Sequence, residues 1–318
     1  MTTATAARER GFEWRPFFQR YGLLLSFGLL CLFLTLASDR FLTGDNLLNI
    51  LRQSAINGII SVGMMMVILT RGIDLSVGSV LALATVVAAD GLRWGWAPLP
   101  ALALCLAIGG ALGLINGLLV SRVRIPPFIA TLGMMTLARG LALSYTEGQP
   151  ITGLGEGFRQ IGTGYLGPIP MPIIVAGLVF LGGYVLFNHT TLGRYIFALG
   201  DNERTAFLTG LPVKQITMFV YAASGALAAL AGTILIARLN SAQPSAGEGF
   251  EFDAIAAVVV GGTSFEGGEG TLLGTLIGVL IIAVLNNGLN LLDVPSFYQS
   301  VVKGAVIALA LLLHRAIR

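Results

Sequence analysis

The sequence predicts an all-α polytopic membrane protein of about ten transmembrane helices. Apolar residues make up 55% of the chain and charged residues only 11%, whereas a soluble domain carries about a quarter charged. The mean hydropathy of +0.83 points the same way. The 42 glycines suit helices that must approach closely, because lipid supplies no hydrophobic force to drive helices together. Nothing along 1–318 resembles a soluble domain boundary, so the chain reads as a single membrane domain.

Windows of about 20 apolar residues, enough to cross a bilayer, place spans at 21–38, 47–69, 74–90, 98–121, 127–145, 171–188, 214–238, 254–265, 271–289 and 297–314. Span 1 follows a basic segment, 1–20, and Thr35-Leu36-Ala37 is a weak secretory cleavage site. With nine further spans behind it, span 1 reads as a membrane helix rather than a removed signal. Arg71 follows span 2, and the Gly/Ser-rich stretch 72–79 breaks the chain around the start of span 3. Spans 4 and 5 flank Arg122 and Arg124, and span 6 leads into a polar segment, 189–214, that span 7 leaves. Span 8 is short because Gly261-Gly262 breaks it; spans 9 and 10 complete the set.

The basic residues set the sides. Arg8, Arg10, Arg15, Arg20, Arg71, Arg122, Arg124, Arg194, Arg204, Lys214, Arg315 and Arg318 fall on one side. The opposite loops hold only Arg40, Arg93 and Arg159, and carry Asp39, Asp45, Glu147, Glu156, Glu248, Glu251 and Asp293. Since the basic side stays inside, the N-terminus, the 189–214 segment and the C-terminus are expected in the cytoplasm, with lipid around the spans. A net charge of only +3 gives no reason to expect nucleic acid as a partner.

The 189–214 segment is polar and loop-like, and it carries helix signals of its own. Asp201 or Asn202 can cap a helix whose first N–H groups lack partners, and Glu203 suits the first turn. Gly210 and Pro212 stop it within about two turns. The expected result is a short helix outside the membrane with Phe207 and Leu208 exposed as a docking knob. An ordinary connecting loop is the alternative.

The two halves of the chain echo each other. Leu114-Ile115-Asn116-Gly117-Leu118 is matched by Leu285-Asn286-Asn287-Gly288-Leu289, and Gly72-Ile73-Asp74-Leu75 by Glu251-Phe252-Asp253-Ala254. The partners lie five spans apart, an odd number, so the repeat would be inverted, with spans 2–5 related to 7–10. Inverted repeats are a transporter signature.

Polar residues at membrane depth are the candidate pathway: Asp74, Ser76, Asn116, Arg139, Asn286, Asn287, Asn290 and Lys303. Asp74 sits at the expected start of span 3, where the helix dipole and Arg71 would stabilise it. Arg52 and Arg238 lie near the outer interface and can snorkel. Arg139 and Lys303 lie deeper and should face the bundle interior, a partner or water. The amides, with Asn57 and Gln299, exchange hydrogen bonds with a neutral polyol without fixed charge; tying helices together is the alternative. No ring of acids suggests a cation path and no array of buried acids suggests proton coupling.

No cofactor is expected. The run Gly261–Gly270 lacks the lysine of a phosphate-binding loop. Cys31 and Cys105 sit far apart in apolar stretches, and His189 and His314 lie at span ends far from either cysteine, so neither a disulfide nor a metal site is expected. No nucleophile–base pair is visible, which argues against an enzyme. If transport is driven, the energy comes from another subunit, and 189–214 is where it would dock.

The runs Gly63-Met64 … Ile68-Leu69-Thr70-Arg71-Gly72-Ile73-Asp74-Leu75-Ser76-Val77-Gly78-Ser79 and Leu192-Gly193-Arg194-Tyr195 … Ala198-Leu199-Gly200 resemble the signature of bacterial sugar permeases in ATP-binding-cassette importers. So do Ser241-Ala242-Gln243-Pro244, Asp253–Val259, Gly261-Gly262-Thr263-Ser264 and Leu285–Leu292. The resemblance covers nearly the whole chain from about residue 40. It implies a homodimer in the bacterial inner membrane, a periplasmic sugar-binding protein and a cytoplasmic ATP-binding subunit. Ribose is the first sugar it suggests, ahead of other pentoses, hexoses or a furanosyl signal. It places the coupling helix on Gly200, Asp201, Asn202, Glu203, Arg204, Ala206, Phe207, Leu208 and Gly210. Arg204 and Thr205 stand where the family often has small residues, which leaves the contact face of that helix open. From the residues alone, a secondary carrier for a small polar solute is the competing reading.

Overall fold

The computed structural model describes residues 14–295 and 297–306, the side chains of 14–21 excepted. The architecture is a helical bundle. In chain order it runs α1 (Trp14–Ala37), α2 (Gly44–Leu69), α3 (Val77–Arg93), α4 (Pro98–Leu118) and, after a π-helical turn over Leu119–Val123, α5 (Pro127–Thr146). There follow α6 (Glu156–Thr163), α7 (Met171–His189), α8 (Thr191–Asp201), α9 (Glu203–Leu208), α10 (Val213–Leu239), α11 (Phe250–Val260) and α12 (Leu272–Leu291). A last helix, α13, covers 297–306 of the described chain. Two short ribbons decorate the loops, pairing β1 (Ile151–Thr152) with β4 (Ser241–Ala242) and β2 (Tyr165–Leu166) with β3 (Ile169–Pro170).

Six of these helices, α2, α4 with its π turn, α5, α7, α10 and α12, are long and apolar enough to cross a membrane. The chain is therefore an all-α polytopic membrane protein. The expected count of ten is not reached among the described residues. α3 has 17 residues and α11 only 11, and the described apolar stretch of α1 is Gly22–Ala37. The far part of the expected span 10, 307–314, lies outside the described residues.

The two short helices also begin and end away from their expected limits. The start of α3 shifts from residue 74 to Val77, because Asp74 takes the Ser76 N–H and hydroxyl onto its own carboxylate. Such local side-chain bonding competes with helix formation and favours a turn. The expected 254–265 becomes Phe250–Val260, closed at its end by Gly262 at φ +89°. That backbone suits glycine and stops a helix.

α2 and α10 lie at the centre, and α4, α5 and α7 are mostly peripheral. The main core joins Ile59, Met64, Met65 and Ile68 of α2 to Ile196 and Leu199 of α8 and to Ile216, Val220 and Ile234 of α10. Glycine spacing builds the closest seam. On α4, Gly109 faces the backbone at Gly225, Gly113 the Tyr221 carbonyl and Gly117 the Met218 backbone of α10, each too near to admit a Cβ. This four-residue spacing of glycines lets two backbones touch, the device that lipid-embedded helices use in place of hydrophobic association. α11 meets α12 the same way, through Gly261 against Gly274 and Ala257 against Gly278.

Candidate functional site

Three groups of polar residues stand out, and the first surrounds α8 and α9. The segment expected to be loop-like from Thr191 is instead the 11-residue α8, capped by the Thr190 hydroxyl on the Gly193 N–H at 3.0 Å. Its buried face, Ile196, Leu199 and Gly200, packs into the bundle, which explains why a polar stretch is helical here. The chain breaks at Asn202, whose side chain accepts the Thr205 N–H at 2.9 Å and so caps α9 in place of Asp201. Gly200 and Asp201 thus close α8, and the free-standing helix is Glu203–Leu208. Gly210, at φ +84°, terminates it. Ala206 is buried, whereas Phe207 is 68% and Leu208 75% exposed.

The base of this projection is clamped. Arg71, at the end of α2, donates from Nε to the Gly200 carbonyl at 2.7 Å and from Nη2 to the Asp201 carbonyl at 2.6 Å. The Gly268 N–H, in the loop after α11, donates to the Leu69 carbonyl at 3.0 Å. Gly200 sits between Leu69 and Gly268 with no room for a side chain. Arg71 is therefore committed to α8 and does not pair with Asp74, contrary to expectation.

The second group surrounds Asp74, which is 1% exposed. Its Oδ1 accepts the Ser76 N–H at 3.0 Å and the Ser76 hydroxyl at 2.6 Å, and its Oδ2 accepts the Ser224 hydroxyl of α10 at 2.9 Å. Asn116 of α4 donates to Ser76 Oγ at 2.9 Å. The neighbouring Ile73 carbonyl accepts the Thr131 hydroxyl of α5 at 3.1 Å. Three helices, α4, α5 and α10, are thus tied to the α2–α3 break.

The third group lies at α11. Lys303 of α13 stands 3.0 Å from both Asp253 carboxylate oxygens, and Asn286 of α12 donates to Oδ2 at 3.3 Å. The remaining amides and Arg139 are scattered. Asn287 and Asn46 bond each other at 2.8 and 3.0 Å. Asn290 accepts from Gln299 at 2.8 Å. Arg139 donates to the Pro244 and Ala246 carbonyls at 2.5 and 2.9 Å. Arg52 donates to the Tyr165 hydroxyl and lies over the same ring. Of the eight candidate pathway residues, then, Asp74, Ser76 and Asn116 come together, Asn286 joins Lys303, and Arg139, Asn287 and Asn290 stand apart. Asn116 and Asn286 each keep a buried Oδ1 with no partner among the described residues.

The sequence did not single out Ser224, Thr131 or Asn46. Each is a small polar residue whose partner lies on a distant helix, a relation that leaves no local signal. Asp253 was signalled by its echo of Asp74 and by its place in the Asp253–Val259 motif, with no mark linking it to Lys303.

A bundle with a capped, clamped projection and buried polar ties at two helix breaks defines a membrane transport component. Residues 46–311 match the family described as branched-chain amino acid transport system / permease component, and the chain belongs to that family. It is similar to the ribose import permease protein RbsC of Bacillus subtilis (strain 168), 52% identical over 299 residues and 93% of each chain. It is similar also to the ribose import permease protein RbsC of Escherichia coli (strain K12), 49% identical over 316 residues and 98% of each. The D-allose transport system permease protein AlsC of Escherichia coli (strain K12) is 40% identical over 314 residues, 98% of this chain and 96% of that one. No solved structure matches the chain.

Proposed function

We propose that this chain is the membrane subunit of an ATP-driven importer whose cargo is ribose, and that two copies form the translocation pathway. The ribose permeases at 52% and 49% identity support the sugar, ahead of the allose permease at 40%. A cytoplasmic ATP-binding subunit grips α9, and a periplasmic sugar-binding protein delivers cargo from the other side. The chain itself carries out no chemistry. The distribution of basic residues supports both termini and α9 in the cytoplasm of a bacterial inner membrane. We place about ten crossings, with α3 and α11 completed by the non-helical chain at their breaks.

An inverted repeat accounts for the two breaks: α2–α5 correspond to α10–α13, and Asp74 at the first break corresponds to Asp253 at the second. Half-helices meeting near mid-membrane are where transporters of inverted-repeat design hold cargo. On this reading Asp74, Ser76, Asn116, Arg139, Asn286, Asn287, Asn290 and Lys303 border the path.

The observation that carries the proposal is the exposed Phe207–Leu208 pair on the helix that follows the end of α8, which is itself clamped by Arg71 at the end of α2 and by Gly268 in the loop after α11. A large apolar pair projecting from a charged surface marks a docking site. A push on α9 reaches both breaks through Arg71, Leu69 and Gly268, which supplies the mechanical link from ATP-driven closure of the partner to a change of access. The test is Phe207→Asp. It is expected to leave the protein folded and in the membrane while abolishing ATP-driven uptake and capture of the ATPase in a detergent pull-down. Normal uptake by this variant would contradict the docking assignment.

A further inference from the structure

A second surface lies beside α9 and differs from it in chemistry. An open cleft of about 1150 Å³ runs between the π turn after α4, the start of α5, α9 and the start of α10. Its wall carries Arg71, Arg122, Arg124, Arg204 and Lys214, against the single acid Glu203. Arg71 is spent on Gly200 and Asp201. Neither Arg122 nor Arg124 forms an ion pair with a described residue.

The backbone adds to the positive field. α5, of 20 residues, and α10, of 27, both begin at the cleft, at Pro127 and Val213. Each turns the positive end of its dipole to the cleft, with Pro126, Pro127 and Pro212 leaving few free N–H groups at these starts. The ends of α2 and of the π turn also reach the cleft, and several of their carbonyls are taken by backbone N–H groups. Leu119 O accepts the Arg124 and Ile125 N–H groups, Val67 O and Ile68 O accept Gly72 and Arg71, and Leu69 O accepts Gly268. The π turn, followed by Arg124 at φ +65°, is an irregular backbone that sets Arg122 and Arg124 at this rim. Ser121 Oγ, also in the wall, is buried without a partner.

We propose that this cleft is a binding site for a phosphate-bearing anion, either the head group of an anionic phospholipid or a soluble sugar phosphate. At about 1150 Å³ it is somewhat roomier than the roughly 300–1,000 Å³ of small-molecule sites, so a sugar phosphate or a lipid head group can enter it. Basic pockets between membrane helices on the cytoplasmic side attract anionic head groups in this way. The cleft is concave and its basic side chains suit a small anion, while Phe207 of α9 and Leu211 supply an apolar edge. The ligand bridges the α4–α5 junction to the α9–α10 junction, so occupancy bears on the position of α9. That consequence rests on the docking role of α9 given above; the binding does not.

The full chain, purified in detergent, is titrated calorimetrically with inorganic phosphate and with ribose 5-phosphate. In parallel it is passed through bilayers of phosphatidylcholine with and without phosphatidylglycerol, and retained lipid is measured. Arg122→Gln/Arg124→Gln is expected to weaken binding about thirty-fold, the effect of two basic residues near a phosphate. Binding should also fall as salt is raised, because exposed charges are screened. Titration by either soluble ester identifies a soluble ligand, and selective retention of phosphatidylglycerol identifies a lipid. If Arg122→Gln/Arg124→Gln does not fold, Lys214→Gln, which lies outside α9, is read the same way, with about a five-fold loss expected. The proposal is overturned if none of the three probes distinguishes the variant from the parent. It is overturned equally if the variant loses only capture of the ATPase, which would make the cleft a protein interface.

Discussion

Gly200 has no space for a side chain, because the Leu69 carbonyl and the Gly268 N–H close on it from both sides. Gly200→Ala must therefore move the clamp rather than fill a gap. Overpacking of this kind costs about 1–3 kcal/mol, expected as a lowered melting temperature in detergent and impaired uptake. Asp74 makes the complementary case. Asp74→Ala leaves the Ser76 N–H and the Ser76 and Ser224 hydroxyls buried without their acceptor, at about 1–3 kcal/mol per unsatisfied group. Asp74→Asn keeps the size and one acceptor oxygen and should melt measurably above Asp74→Ala. Both residues stood out in the sequence, but for incomplete reasons. Asp74 is conspicuous as an acid beside an apolar run, yet Ser224, 150 residues away, carries no mark linking the two. The expected Arg71–Asp74 pair failed because Arg71 has five donors in a fixed fork and two backbone carbonyls of α8 meet that fork.

At the scale of elements, long apolar helices were legible and short broken ones were not. A 20-residue apolar window defines α4 or α12 almost unaided, and the glycines at 109, 113 and 117 anticipate close packing. The limits of α3 and α11 depend on an Asp74–Ser76 turn and on Gly262, which hydropathy does not register. α8 was missed because half its surface is polar, and only its burial against the core makes it helical. The Asp253–Lys303 pair ties α11 to α13 and supports a quantitative expectation. Asp253→Asn and Lys303→Met should each destabilise the protein, since each strands a partly buried partner. The double variant should lose less than the sum of the two, with a coupling of about 1–2 kcal/mol. Unfolding of the four proteins of this cycle in detergent reads the value directly, and additivity would mean that the pair does not hold the helices together.

For the whole molecule, composition announces the membrane because it acts over the full chain, and the asymmetry of basic residues is what supports the sides proposed above. The assembly is a different matter. Which face meets a second copy is a relation between surfaces, and one sequence records only one of them. The central claim is that this chain passes ribose only when an ATPase drives it. The most direct test reconstitutes the full chain in liposomes with its ATP-binding subunit and sugar-binding protein, and measures uptake of radiolabelled ribose. Accumulation should require ATP and the binding protein together, and should vanish with Phe207→Asp. Uptake that proceeds without ATP would contradict the account and make the chain a secondary carrier.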